Sequence, residues 1–110
     1  MTSVYLDYNA TAPIRPEAAD AVLCALNIGG NPSSVHSAGR LARAAVEKAR
    51  EQVAALVGAK AGSVTFTSGG TEANALAIES AIAAGAKRPL VSMTDHVSVL
   101  ATATAAGFWT

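Results

Sequence analysis

The chain has 110 residues and a mass of 11.0 kDa, and its 51% hydrophobic and 15% charged residues favour one folded domain with a buried core over a disordered segment. Eight basic and eight acidic side chains cancel, so no charge field attracts nucleic acid or anionic lipid. The single cysteine, Cys24, excludes an internal disulfide and a multi-cysteine metal site built by this chain alone.

The first third of the chain predicts an extended arm followed by a helix. Residues 4–8 alternate as in a strand or a pinned arm, and a turn region with two prolines follows. Pro16 suits the first position of a helix that runs to about Leu26, where Asn and Gly residues interrupt it. We expect Cys24 on the buried face of this helix. The start of the chain lacks a basic region followed by an apolar run, and no uninterrupted apolar stretch of membrane-spanning length occurs, so we expect a cytoplasmic protein.

A longer helix is predicted over residues 37–57, with Gly58 as its C-terminal stop. Apolar residues recur there at spacings of three and four, which predicts one buried stripe. The stripe consists of Leu41, Ala45, Ala49, Val53 and Leu56. The charged residues of the same helix are typical of a solvated face.

The second half of the chain alternates strand and helix patterns. Strands are predicted at residues 63–67 and 90–93, helices at residues 71–84 and 97–106, and a further element is expected to begin at residues 108–110. This order predicts an α/β fold with a parallel sheet. Because two and a half strands do not complete such a sheet, we expect the chain to be part of a larger fold.

The sequence TSGGTEAN, at residues 67–74, lies between a predicted strand and a predicted helix. Its glycines allow close backbone approach, and the following helix start offers unpaired N–H groups to a phosphate, together with the Ser68 and Thr71 hydroxyls. The same string also fits an ordinary helix start, with Ser68 or Thr71 as the cap and Gly70 in a tight turn. It lacks the lysine of a Walker A loop and the glycine spacing of a dinucleotide-binding loop.

Four motifs taken together carry a family resemblance. They are YLDYNATAP at residues 5–13, GNPSSVH at residues 30–36, TSGGTEAN at residues 67–74 and Asp95-His96. In this order they resemble the start of a cysteine desulfurase of the nitrogen-fixation type, a pyridoxal-phosphate (PLP) enzyme of the class V aminotransferase group. The resemblance covers nearly the whole chain.

The resemblance implies the fold of PLP-dependent transferases of fold type I, in which helices flank a parallel-rich sheet. The chain would then be one incomplete domain. Residues 1–62 would form the N-terminal arm and helices, and residues 63–110 would begin the cofactor-binding α/β domain.

The resemblance also implies roles for individual residues. Gly70 and Thr71 match the pair that binds the cofactor phosphate. His96 matches the histidine that stacks on the pyridine ring and assists proton transfer, and it follows the second strand of the α/β pattern, where ligands of such folds bind. Without the resemblance, His96 would be interpreted as a surface or helix-start histidine.

Two N-terminal loops resemble segments that approach the substrate. Asn9, Ala10 and Thr11 belong to the first, and Asn31 belongs to the second. A purely structural interpretation stays open for both, because Asn31 with Pro32 also suits a turn and Ser33 or Ser34 suits a helix cap. His36 is interpreted as structural. No residue is assigned to a metal.

For the complete protein, the resemblance implies conversion of L-cysteine to L-alanine, with the sulfur passed as an enzyme persulfide to an iron–sulfur scaffold or a sulfur-carrier protein. A homodimer is expected, without nucleic acid or membrane as a partner. The family's Schiff-base lysine, its pyridine-nitrogen aspartate and its sulfur-accepting cysteine have no counterpart in these 110 residues, so we expect the chain alone to be inactive. The alternatives are a truncated relic or small interaction module, and another class V relative such as a selenocysteine lyase.

Overall fold

The computed structural model describes residues 4–87 and 90–107, and the chain divides into two compact units between Val64 and Thr65. The described residues form four α-helices and one short 3₁₀ helix. The α-helices are α1 (Pro16–Leu26), α2 (Ser37–Leu56), α3 (Gly70–Ala83) and α4 (Val97–Ala105), and the 3₁₀ helix is Ala61–Ser63. The element expected to begin at Phe108 lies outside the described residues.

The four predicted α-helices are confirmed, each to within one residue of its expected ends, because local signals fix where they stop. At the end of α2, Gly58 has a φ of +67°, which a residue without a side chain adopts without strain. This turn lets the Gly58 and Ala59 N–H groups donate to the carbonyls of Ala55 and Ala54, at 3.3 and 2.8 Å. Helix α3 ends in the same way at Gly85.

The predicted strands are not formed within the described residues, where no β-ladder is present. Ser63 ends the 3₁₀ helix instead of beginning a strand, although Val64 after it has extended backbone, with φ −96° and ψ 126°. A strand exists only through hydrogen bonds to a neighbouring strand, and residues 63–67 and 90–93 find no such neighbour here. The parallel-rich sheet therefore stays a prediction.

The expected apolar core is also reduced, because Ala54 and Ala103 are the buried apolar side chains of the described residues. The predicted stripe of α2 is wrong in part, since Leu41 is 64% and Leu56 is 85% exposed. The covered side of α2 follows smaller residues. They are Gly39, Ala42, Ala45, Val46, Ala49 and Ala54, which are buried or half-buried.

The prediction that Cys24 belongs to a core is wrong for this structure, since its side chain is exposed. Helix α1 buries none of its residues. A helix buries an apolar face only where another element packs on it, and periodicity within α1 does not supply that element.

The loop before α2 is held by side chains of the helix that follows it. Arg43 Nε donates to the carbonyl of Pro32 at 2.9 Å, and Arg40 Nη1 donates to the carbonyl of Val35 at 2.6 Å. Gly39 is buried beneath the loop, and a Cβ there would overlap the carbonyl oxygen of Ser34. The loop therefore packs this closely only over a glycine.

We expect Gly39→Ala to lower the free energy of unfolding by about 1–3 kcal/mol, because the added methyl group displaces the loop backbone. Gly62→Ala is the matched control, since a Cβ at Gly62 meets nothing within 4 Å. The control should be neutral or slightly stabilising, through the lower entropy of the unfolded chain. Urea unfolding followed by circular dichroism measures both, and equal midpoints for the two variants would show that the close approach is absent.

Candidate functional site

The turn before α3 leaves the start of that helix open. Thr67 Oγ1 donates to the carbonyl of Gly69 at 3.1 Å. The cap residue of α3 is Gly69, which has no side chain to accept a hydrogen bond from the first N–H groups of the helix. The first N–H groups of a helix have no carbonyl within it to bind. Residues 68–73 are exposed, and a Cβ at Gly69 or Gly70 would meet nothing within 4 Å. The helix start carries partial positive charge and suits a phosphate.

Glu72 uses the donors of Ser68. Its Oε2 accepts hydrogen bonds from both the backbone N–H and the hydroxyl of Ser68, each at 2.6 Å. These two bonds, the hydroxyl bond first, lower the pKa of Glu72 because they stabilise its charged form. Ser68 therefore does not cap α3, and both its N–H and its hydroxyl proton are engaged by Glu72. The amides of Gly70 and Thr71 and the Thr71 hydroxyl are the donors that suit a phosphate.

His96 is the cap residue of α4. Its Nδ1 accepts the backbone N–H of Ser98 at 3.1 Å and lies 2.8 Å from the Ser98 hydroxyl oxygen. The interpretation of His96 as a helix-start histidine is thus confirmed as a structural role. Both contacts of this cap involve Nδ1, so Nε2 is the ring nitrogen that is suited to exchange a proton with a substrate.

A tight turn positions His96 at the start of α4. The Asp95 carboxylate accepts the Ser92 N–H at 3.0 Å, and the Asp95 N–H donates to the Ser92 carbonyl at 3.0 Å. The hydroxyls of Ser92 and Thr94 are 2.8 Å apart and hydrogen-bonded. Asp95 therefore stabilises the turn that presents His96.

The other predicted loop residues lie in the first unit, residues 1–64, and form local turns. The N–H groups of Ala10 and Thr11 donate to the carbonyl of Asp7, and the Tyr5 hydroxyl donates to the carbonyls of Asp7 and Thr11. Asn9 lies in this turn.

Asn31 closes a turn of its own, because its Oδ1 accepts the Ser33 N–H at 2.9 Å. The structure therefore gives Asn31 the turn role that the sequence left open. The cap of α2 is His36, whose Nδ1 accepts the Gly39 N–H at 3.3 Å, and not Ser33 or Ser34. The structural interpretation of His36 is confirmed.

Gly70, Thr71 and His96 share the second unit, in which α3 and α4 pack together. A hydrogen bond from Asn74 Nδ2 to Ser98 Oγ, at 2.9 Å, joins the two helices. Sequence reasoning missed this pair. Asn74 stood in the motif at residues 67–74, and the available signal for Ser98 was its position two residues after a helix-start histidine.

Residues 4–87 and 90–107 offer neither a metal-binding cluster nor a membrane-spanning helix. No group of three or more His, Cys, Asp or Glu side chains in these residues is arranged to hold a metal ion. None of the helices there combines the length and the apolar character needed to cross a membrane.

Comparison with known proteins identifies the family to which the chain belongs. Residues 4–108 match the aminotransferase class-V family, and the chain belongs to it. Members of this family are PLP-dependent enzymes of fold type I. No solved structure gives a significant match to the chain.

Relatives similar to the chain include cysteine desulfurases and selenocysteine lyases. The chain is 46% identical over 101 residues to a cysteine desulfurase, IscS, of Dictyoglomus turgidum, covering 88% of the chain and 26% of the relative. It is 50% identical over 105 residues to a cysteine desulfurase of Cereibacter sphaeroides, covering 92% and 27%. It is 49% identical over 80 residues to human selenocysteine lyase, covering 72% and 18%. The chain thus spans about a quarter of the desulfurases that it matches.

The Glu72–Ser68 interaction predicts a pH dependence at the start of α3. Since the pKa of Glu72 lies below the ordinary glutamate value of 4.5, its stabilising contribution is complete above 4.5 and is lost as the pH falls through the lowered pKa. Hydrogen exchange of the Ser68 amide should therefore accelerate, beyond the intrinsic pH effect, on acidification through that range. Glu72→Gln should abolish the extra acceleration, with Glu79→Gln, on the same helix, as the matched control. Identical exchange profiles for the native protein and Glu72→Gln would contradict the interaction.

Proposed function

We propose that the complete polypeptide containing this chain is a PLP-dependent cysteine desulfurase that converts L-cysteine to L-alanine. The observation that carries the proposal is the open start of α3, where Gly70 and Thr71 stand in a chain that is 46% and 50% identical to two cysteine desulfurases. The two matches cover 88% and 92% of the chain.

The residues at the start of α3 fit the phosphate of PLP. The amides of Gly70 and Thr71 and the Thr71 hydroxyl would donate to the phosphate oxygens, with the positive end of the helix beneath them. When bound, PLP supplies a conjugated pyridinium that accepts electrons as the substrate Cα–H bond is broken.

His96 is the proposed acid/base residue and the ring that stacks on the cofactor. The cap contacts hold Nδ1, so a proton would be exchanged at Nε2. Asn9, Ala10, Thr11 and Asn31 are proposed to lie near the substrate, each fixed by the local turn of its loop.

Sulfur would leave as a persulfide. A cysteine thiolate attacks the sulfur of L-cysteine, the carbon–sulfur bond breaks with its electron pair on carbon, and protonation of that carbon gives L-alanine. We propose that the attacking thiolate belongs to a part of the polypeptide outside these 110 residues, because Cys24 lies within α1. The persulfide would pass to an iron–sulfur scaffold or a sulfur carrier, in a cytoplasmic homodimer.

We infer the nitrogen-fixation type from GNPSS, at residues 30–34, and GGTEAN, at residues 69–74. Two of the relatives carry the name IscS. The nitrogen-fixation type and the IscS type both release sulfur from cysteine. They are therefore distinguished by measuring which iron–sulfur scaffold receives the persulfide fastest.

A selenocysteine lyase is the second candidate, supported by the 49% identity to the human enzyme, which extends over a smaller part of the chain. The test is alanine formation by the purified complete polypeptide from L-cysteine and from L-selenocysteine. Alanine from L-selenocysteine with none from L-cysteine would favour the second candidate, because a cysteine desulfurase has to release sulfur from L-cysteine. A native product of 11.0 kDa that forms no alanine would support the truncated relic or interaction module instead.

Thr71→Val should weaken cofactor retention about tenfold or more, because a hydrogen bond to a charged phosphate is lost while the side-chain shape is kept. The matched control is Thr104→Val, at an exposed threonine of α4. Dialysis followed by the visible absorbance of bound PLP measures retention. Unchanged retention in Thr71→Val would contradict the phosphate role.

His96→Ala should slow alanine formation by about 10²–10⁴-fold, the usual contribution of a general acid or base, with a smaller effect on cofactor retention. Steady-state kinetics and PLP dialysis of the same preparation separate the two effects. The reverse pattern would show that the ring only anchors the cofactor. His36→Ala controls for the loss of a helix-capping histidine.

A further inference from the structure

We propose that Asn74 and Ser98 are positioning residues that fix the tautomer and the orientation of the His96 ring, with the ring proton on Nε2. The first part of the argument is the helix cap. The Ser98 backbone N–H donates to His96 Nδ1 at 3.1 Å, and an N–H has no other role in a hydrogen bond. In the neutral ring, Nδ1 is therefore the acceptor and Nε2 carries the proton.

The second part is the direction of the side-chain hydrogen bonds. Asn74 Nδ2 donates to Ser98 Oγ at 2.9 Å, which occupies a lone pair of the hydroxyl and leaves its proton for another acceptor. His96 Nδ1 lies 2.8 Å from the same oxygen and is that acceptor, with its one lone pair shared between the Ser98 hydroxyl and the Ser98 N–H. The bonds thus run in one direction, from Asn74 through Ser98 to His96.

The third part is the rigidity of the link. Ser98 is 7% exposed, and its carbonyl accepts the Thr102 hydroxyl at 2.8 Å, so its place in α4 is fixed on two sides. Asn74 is half-buried and lies about one turn after Gly70 in α3. The ring of His96 is therefore oriented by the helix whose first turn carries the candidate phosphate donors.

The consequence for catalysis rests on the proposed function. With its neutral ring in this tautomer, His96 presents an N–H at Nε2 toward the reacting groups. Without the link, the ring would rotate about its side-chain bonds and sample both tautomers, and only part of the population would hold a proton at Nε2.

The direct test is two-bond ¹H–¹⁵N spectroscopy of the complete polypeptide labelled with ¹⁵N-histidine, at a pH where the ring is neutral. His96→Gln identifies the His96 signals by their loss. We expect an unprotonated Nδ1 and a protonated Nε2 in the native protein. A proton on Nδ1, or an equal mixture of tautomers, would overturn the proposal.

Two variants interrupt the link in different ways. Ser98→Ala removes the hydroxyl, and Asn74→Asp replaces the donor by a carboxylate that takes the hydroxyl proton. Each should raise the population with a proton on Nδ1 about fivefold, the effect of one ordinary hydrogen bond. Ser98→Thr keeps the hydroxyl and should restore the native spectrum, and Thr104→Ala, on an exposed part of α4, should leave it unchanged. A native spectrum in both disrupting variants would overturn the proposal even if one of them folded poorly.

Kinetics separate this proposal from the proposed function. Ser98→Ala and Asn74→Asp should lower kcat for L-cysteine about fivefold with little change in KM or PLP retention, and Ser98→Thr should recover the rate. A fixed tautomer in a polypeptide that releases no alanine would leave the positioning role standing and remove the desulfurase. Rapid alanine formation, with a His96 tautomer that neither Ser98→Ala nor Asn74→Asp changes, would support the desulfurase and overturn the positioning role.

Discussion

The N–H groups at the start of each helix need hydrogen-bond acceptors, and the way each helix meets this need organises the second unit. At α4 the acceptor is the ring nitrogen of His96. At α3 the cap residue is Gly69, which has no side chain to offer, and Glu72 binds the preceding Ser68 instead. The start of α3 is therefore without a side-chain cap and is the proposed phosphate site, while the start of α4 holds a catalytic candidate in place. The uncapped start of α3 and the histidine-capped start of α4 thus form the two parts of the proposed site.

A polar bond adds a directional contact to the packing of α3 against α4. Apolar contact is not directional, and Ala103 is the buried apolar side chain of the described part of this unit. The bond between Asn74 and Ser98 has a defined length and direction. Because Ser98 is buried, loss of Asn74 would leave the Ser98 hydroxyl with His96 as its remaining partner and one lone pair unsatisfied, which is unfavourable. The pair therefore contributes a directional constraint to the way the two helices meet.

The helices were predictable from the sequence because proline at the start of α1 and glycine after α2, α3 and α4 act locally. The strands were not, because a strand requires a partner that no local pattern specifies. Periodicity likewise identified apolar residues of α2 such as Leu41 without showing whether anything covers them. In the site, the position of His96 followed from its motif. Its contact with Ser98 is local, two residues along the chain, but the contact of Ser98 with Asn74 depends on tertiary packing across 24 residues.

The two histidines of the chain show why a shared local role does not imply a shared function. His36 and His96 both cap a helix through Nδ1, with the acceptor distances of 3.3 and 3.1 Å expected for weak and ordinary bonds. Within the described residues, the His36 ring has the Gly39 N–H as its donor, whereas the His96 ring also meets a hydroxyl that is itself oriented by another helix. A single cap bond stabilises a helix but lets the ring pivot. A second donor at the same nitrogen restricts that rotation, as the proposed role of His96 requires.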